Sequence, residues 1–388
     1  MSVTSPRGFV AAGIACGIKE SGAPDLALVA TADGRPVTAA AVFTSNLATA
    51  APVQVSRAHL ATTHHQAAAV VLSSGNANAA TGEQGRADAE RMCELVAADL
   101  GCDTANVLVC STGLIGIPLP MKPIESGIPQ LTAARAPDGG PTAARAIMTT
   151  DTHPKEVVVN GHGFTVGGLA KGAAMLAPNM ATMLAVLTTD ADVDQATLQQ
   201  ALHQAVGTSF NALSVDGCTS TNDTVIVLAS GQAGPPPDAN ALTAALEAAC
   251  ADLAGQMAGD AEGATKVIRI WVTGAASDAE AATAARKVAE SQLVKCSFYG
   301  QDPYWGRVVS ELGSAGVAFD PDKVRVSYGG VTVCEGGIAV DHDGATVATH
   351  MAERNIELTA DLGLGTGKGT ILTNDLTHAY IDENMGTS

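Results

Sequence analysis

The sequence predicts a mixed α/β protein, on three observations. Hydrophobic residues make up 46% of the 388 positions and charged residues only 15%, the composition of a chain that buries a large core. Short β-rich apolar runs alternate with stretches of helical periodicity, and glycine (41 residues) rather than proline (17) supplies most of the punctuation. The alternation never settles into a regular strand-helix-strand unit, and no GxGxxG follows a strand, so a doubly wound nucleotide-binding sheet is not expected.

Strands are expected over 26–30, 69–73, 107–110, 157–160, 184–188, 225–229, 267–272, 324–328 and 356–360, several of them rich in Val and Ile. Helices are expected over 83–100, 194–206, 238–257 and 278–290. The clearest is 194–206, where Leu198, Ala201, Leu202, Ala205 and Val206 recur three and four apart between a cap at Asp194 and a stop at Gly207. RAPDGGP (135–141) and QAGPPPDAN (232–240) read as loops, because proline and glycine interrupt both helix and sheet there. GLGTGKGT (363–370) has the look of a phosphate loop, but Leu362 stands where the first glycine is needed and Gly369 where a magnesium-binding hydroxyl is needed. It is expected to be a turn.

Composition also limits function. A net charge of −18 repels phosphate backbones and anionic lipid surfaces, so neither nucleic acid nor a membrane is an expected partner. No apolar run approaches the roughly 18 residues of a membrane span, and MSVTSPRGF lacks the features of a signal peptide, so a cytoplasmic location is expected. The eight cysteines contain no CxxC pair and are expected to be buried thiols. His342, between Asp341 and Asp343, reads as part of a solvated turn; no metal is assigned.

One segment stands apart. From Gly167 to Ala191 the chain reads GGLAKGAAMLAPNMATMLAVLTTDA, a small-residue loop with one lysine and one proline leading into an apolar strand. A threonine at the head of such a strand ordinarily reflects β-propensity. Its chemical alternative is nucleophilic: a threonine whose preceding peptide bond is broken can use its own α-amino group as a base, and that group has a pKa near ~7.7–8.0. Attack of the Thr182 hydroxyl on the Ala181 carbonyl, followed by ester hydrolysis, would create such a terminus. A small residue at 181 beside strain-tolerant glycine-rich backbone suits the bent geometry required.

In KGAAMLAPNMATML (171–184) and TTDA (188–191) the sequence resembles the ornithine acetyltransferases of the cyclic arginine pathway, also called glutamate N-acetyltransferases. The likeness extends through AAVFTSN (40–46), SSGNANAATG (73–82), CSTGLIG (110–116), AIMTTDTHPKE (146–156), DGCTSTNDT (216–224), GDAEGATK (259–266), GQDPYWGR (300–307) and the tail YIDEN, in order over nearly the whole chain. The resemblance implies that family's fold of mixed sheets and helices, in two intimately associated lobes expected to part roughly at residue 182. It further implies self-cleavage between Ala181 and Thr182 into an α chain (1–181) and a β chain (182–388) that assemble as a heterotetramer of two of each. Thr182 would carry an acetyl group from N2-acetylornithine to glutamate, with no cofactor; acetyl-CoA as a second donor is left open.

The family's oxyanion donors map onto Thr112 and Gly113. Read from the residues alone, STG at a strand end offers a hydroxyl and a glycine N–H, or is a plain turn. Substrate-binding positions carried over by motif are Thr149 (or Thr150), Lys171, Thr182, Glu262, Asn384 and a tail hydroxyl, Ser388 in preference to Thr387. A lysine and a glutamate in one pocket could read the carboxylate and ammonium of an ornithine derivative; the plain alternative is a surface ion pair. A second class stays open: aminopeptidases and amidohydrolases with self-cleaved N-terminal nucleophiles share this chemistry with water as the acceptor. A third reading, an uncleaved binding protein without catalysis, predicts one intact chain and no acyl adduct.

Overall fold

The computed structural model describes residues 2–175, 183–236 and 238–385. They form two compact units, Met1–Asn211 with Cys218–Met257, and Ala212–Gly217 with Ala258–Ser388. The units therefore do not part at residue 182, as the lobes were expected to; strands that follow it belong to the first unit. Along the chain the strands are β1 Phe9–Ile14, β2 Leu26–Thr31, β3 Val37–Phe43, β4 Gln66–Ala67, β5 Ala69–Asn76, β6 Val107–Leu114, β7 Lys155–Asn160, β8 Thr165–Lys171, β9 Leu184–Ala191, β10 Leu213–Ser214 and β11 Thr224–Gly234. They continue as β12 Val267–Ala275, β13 Arg325–Tyr328, β14 Val331–Glu335, β15 Ile338–Ala339, β16 Asn355–Asp361 and β17 Gly367–Asn374.

The first unit stacks two sheets, ordered β1-β2-β5-β6 and β4-β3-β11-β9-β8-β7. The strands β2 and β9 are buried along their whole length, which is why they read as unbroken apolar runs instead of alternating ones. Between the sheets lies one core. Val29, Val70, Leu72 and Leu108 of the first sheet meet Leu169, Val186, Ile226 and Leu228 of the second, joined by Ala143, Ala144 and Ala146 of helix Gly140–Ala146. The first sheet's other face is covered by helices Gly82–Leu100 and Met121–Ala133 through Met92, Val96, Ile124, Ile128 and Leu131. Each such fully buried aliphatic side chain contributes about 1.5–3 kcal/mol. Helix Gln195–Thr208 packs on β3 of the second sheet.

The second unit holds a mixed sheet, β10-β17-β12-β16-β13-β14-β15, with its own core. Helix Asp278–Ala289 lies on β12 and β17 through Ala281, Ala284, Ala285 and Val288. Here the segment 363–370 departs from expectation: only its first half bends, and Gly367 to Thr370 belong to β17. A Cβ on Gly369 would stand 2.5 Å from the backbone nitrogen of Ala282, so the glycine lets the helix rest directly on the strand.

Every expected strand and helix is present with its ends moved by a few residues, including the Asp194 cap, whose carboxylate accepts from Thr197 N–H at 2.9 Å. Two expected loops are shorter than read: Gly140 and Pro141 open a helix, proline being suited to a first turn, and Gln232 to Gly234 extend β11. Of the cysteines, Cys93, Cys110, Cys250 and Cys334 are buried, but Cys218 and Cys296 are exposed, so the expectation of buried thiols holds only in part. The turn around His342 ends in a helix cap, with Asp343 accepting from Ala345 and Thr346 N–H.

Candidate active site

Thr182, Ala181, Thr387 and Ser388 lie outside the described residues. The chain on both sides of the first pair is well defined. β8 and β9 pair antiparallel, with Lys171, the last residue of β8, opposite Leu184. Segment 172–183 therefore leaves and re-enters the sheet on adjacent strands, and each end is held by a buried carboxylate. Gly172 N–H donates to Asp151 Oδ1 at 2.8 Å, and Met183 N–H donates to Asp223 Oδ1 at 2.6 Å.

Lys171 is not a surface residue. It is 4% exposed, and its Nζ donates to Thr112 Oγ1 at 3.3 Å. Thr112 and Gly113 were expected just beyond a strand; they lie inside β6, opposite Ser74 and Gly75 of β5 at an irregularity in the ladder. Gly113 has φ +134°, and a Cβ there would sit 2.3 Å from the Gly75 carbonyl carbon, so only glycine is tolerated. Gly113 itself faces solvent and Thr112 is half-buried, so this strand end is reachable by a ligand.

Thr149 joins the same neighbourhood through Asp151. Its N–H donates to Asp151 Oδ2 at 3.0 Å, while Oδ1 accepts from Lys155 Nζ at 2.6 Å as well as from Gly172. Thr149 is half-buried and Thr150 exposed. Burial would raise the Asp151 carboxyl, but the ammonium groups of Lys171 and then Lys155 outweigh it and hold the group at about 2. Burial pushes the Cys110 thiol up to about 12, and burial together with Asp25 does the same to Cys16, so neither is poised as a thiolate nucleophile.

Glu262 and Asn384, in the second unit, are brought together. Asn384 follows helix His378–Glu383, and its Nδ2 donates to Glu262 Oε2 at 2.8 Å. Glu262 is 7% exposed, not part of a surface ion pair. Its turn is shaped by Gly263 (φ +62°), where a Cβ would meet Tyr380 N at 2.3 Å, and the Gly263 carbonyl accepts from Thr377 Oγ1 at 2.7 Å. Glu262 lines a cavity of about 160 Å³ with Asp216, Glu290, Lys295, Asp375 and Tyr380. Three acidic residues beside Glu262 suit a cationic amine.

Sequence reasoning passed over Asp151, Lys155, Lys19 and Asp223. Lys19 Nζ donates to the Met148 and Pro24 carbonyls, both at 2.7 Å, beside the Thr149 loop. For Asp223 the usable signal was a lone acid directly before the apolar strand β11, which must find a partner once buried; Asp151 lies in the loop before β7 and carried no such signal.

Comparison with known proteins supplies the class and then the family. The protein from Thermobifida fusca named arginine biosynthesis bifunctional protein ArgJ is 48% identical over 388 residues, covering all of both chains. The protein of the same name from Mycobacterium leprae is 48% identical over 394 residues, covering all of this chain and 95% of its own. A crystal structure of ornithine acetyltransferase complexed with ornithine, from Mycobacterium tuberculosis, shares 46% identity over 47% of this chain and 95% of that one, with a TM-score of 0.44. The class is that of an acyltransferase of amino-acid biosynthesis. The ArgJ family model matches residues 10–386, and the chain belongs to the ArgJ family, bifunctional enzymes of arginine biosynthesis. No helix among the described residues is long and apolar enough to cross a membrane.

Proposed function

We propose that the chain transfers the acetyl group of N2-acetyl-L-ornithine to L-glutamate through an acetyl ester on Thr182, after cleaving itself between Ala181 and Thr182. The observation that carries this reading is the convergence on segment 172–183: Lys171 Nζ lies 3.3 Å from Thr112 Oγ1, and the segment's ends are fixed by Asp151 and Asp223. Fixed chain on either side of the nucleophile and a glycine at the strand end that Lys171 touches are features covalent acyl transfer can use.

In processing, Thr182 Oγ attacks the Ala181 carbonyl carbon and the peptide C–N bond breaks, giving an ester and a free amine. Water then cleaves the ester, leaving an Ala181 carboxylate and a Thr182 hydroxyl. In turnover, Oγ attacks the acetyl carbonyl while its proton passes to the α-amine. The Thr112 hydroxyl and the Gly113 N–H are the proposed donors to the resulting oxyanion. The acetyl–nitrogen bond breaks as the proton moves to the leaving ornithine amine. Glutamate's amine then attacks the acetyl ester, and Oγ recovers a proton. Lys171, Thr149, Glu262, Asn384 and Ser388 would bind substrate, with Lys171 suited to a carboxylate and Glu262 to an ammonium by charge. We infer an assembly of two α and two β chains, and no cofactor beyond acetyl-CoA as an alternative donor.

Partition of the acetyl group is the test. With labelled acetylornithine and glutamate, the label should appear in N-acetylglutamate with ping-pong kinetics and vanish in Thr182→Ala. Release as acetate, indifferent to glutamate, would assign the chain to the amidohydrolase class instead.

A further inference from the structure

The carboxyl of Asp223 is only half used. It is 4% exposed; Oδ1 accepts the Met183 N–H at 2.6 Å, and Oδ2, equally buried, has no hydrogen-bond partner among the described residues. A buried polar atom left unpaired costs about 1–3 kcal/mol, more when it is charged, so its persistence asks for a ligand. The backbone around it is fixed: Thr224 N–H donates to the Met183 carbonyl at 3.1 Å, Thr44 N–H donates to the Asp223 carbonyl at 2.9 Å, and Asn222 Nδ2 holds the Ala77 and Ser111 carbonyls at 2.6 and 2.9 Å. The carboxyl is aimed, not loose.

What can reach Oδ2 follows from covalent connection. The nitrogen that Asp223 holds is the one joined to the carbonyl carbon of residue 182. The α-nitrogen of residue 182 is three bonds further, so it lies within about 6 Å of Oδ1 in any backbone conformation. In the uncleaved chain that nitrogen is a neutral amide; in the processed chain it is an amine that accepts a proton during each acyl transfer.

We propose that Asp223 is the positioning residue of the nucleophile. It clamps the start of β9 through Met183 N–H and takes the α-ammonium of Thr182 on Oδ2, orienting the base and stabilising the charge that forms on it when Oγ gives up its proton. This rests on the reading of Thr182 as a processed N-terminal nucleophile. It adds the third member of a nucleophile, base and orienting-group arrangement, in which the base is the chain's own amine. No co-reactant is needed, because the proton moves only between Oγ, the amine and the substrate nitrogen.

The surroundings support the assignment. Lys171 is a cation whose charge acts on the carboxyl, and Arg57 reaches the Thr44 carbonyl at 2.7 Å. Burial raises the Asp223 carboxyl well above its ordinary range, and the Met183 N–H, Lys171 and the neighbouring Thr44 hydroxyl, which itself donates to the Ser220 carbonyl at 2.7 Å, only partly oppose this. Cleavage adds a cationic amine one residue before the nitrogen this carboxyl already holds.

Asp223→Asn keeps an oxygen for Met183 N–H and removes the anion. In processed Asn variant, the amine loses its anionic neighbour and becomes less basic. The acidic limb of kcat/KM should move to lower pH by at least about half a unit, and kcat should fall at least ~10-fold with KM for acetylornithine little changed. A pH profile superimposable on the wild type would overturn the proposal. A second measurement covers the case in which the variant fails to fold or process: in an experimental structure of processed wild-type protein, Oδ2 should lie about 2.7–3.2 Å from the Thr182 α-nitrogen. A separation beyond about 4.5 Å would overturn it as well. Thr182→Ala separates the two claims, since an active alanine variant defeats the proposed nucleophile whatever Asp223 does.

Discussion

Asp151→Asn removes one charge from the buried pair beneath the candidate site. Lys155 and Asp151 are 0% and 1% exposed at the side chain and 2.6 Å apart, and the same carboxylate accepts from Thr149 and Gly172. Deleting one partner of a buried pair costs about 3–5 kcal/mol, because the other charge is left uncompensated. The lower end is expected here, since the amide oxygen still accepts from Lys155. The sign with pH follows from the folded-state value near 2 against an ordinary 3.8. A depressed carboxyl stabilises the fold fully above the unfolded value, and that stabilisation fades as pH falls towards the folded one; the shift corresponds to about 2 kcal/mol, of which about 1 kcal/mol is gone by pH 3. Urea unfolding of the first unit, in a Thr182→Ala background that keeps the chain continuous, should show wild type ahead by about 3 kcal/mol at pH 7, with the gap narrowing by about 1 kcal/mol at pH 3. A gap below about 1 kcal/mol, or one unchanged between pH 6 and pH 3, would refute the buried-pair reading.

Other substitutions probe the remaining parts. Gly113→Ala must move Cβ away from Gly75 and hold φ near +134°, so a loss of about 2–3 kcal/mol in stability and of transferase activity is expected; a fully active, equally stable variant would remove Gly113 from the oxyanion role. Glu262→Gln should lower kcat/KM for acetylornithine at least ~10-fold, as expected for loss of a buried charge partner to an ammonium, and an unchanged value would exclude Glu262 from the pocket. Lys295 is brought down to about 8 by burial, although Asp216 and Asp375 oppose the shift. The unfolded chain therefore holds this proton longer, and stability should rise by about 3 kcal/mol between pH 8 and 10.5, a rise that Lys295→Met should abolish in alkaline denaturation curves.

Strands legible in the sequence were those that Val, Ile and Leu mark, such as β2, β9 and β16. Several of those missed are built from alanine and glycine. β1 (FVAAGI) and β3 (VTAAAVF) carry too little β-branched signal, and β8 (TVGGLAK) contains Gly167 and Gly168 because Ser2 and Leu187 crowd their Cβ positions at 2.4 and 2.6 Å. Helix Met121–Ala133 hides behind Gly127 and Pro129, the glycine lying against Cys16. Motif alone reached Lys171 and Thr112 in the first unit and Glu262 in the second. It could not say that Lys171 touches Thr112, because contact between strand ends far apart in sequence depends on how the two sheets stack. Asp151 and Asp223 escaped for a related reason: an acid in a sequence looks solvated until tertiary structure buries it.

Everything chemical depends on residue 182 acquiring a free amine. Intact mass and N-terminal sequencing of the purified protein, repeated after brief exposure to acetylornithine, test this directly. The expected result is two chains, the second beginning TMLAVLTT and gaining one acetyl group on Thr182 that glutamate removes. An uncleaved chain with full transferase activity, or an acetyl group retained elsewhere while Thr182→Ala still turns over, would contradict it.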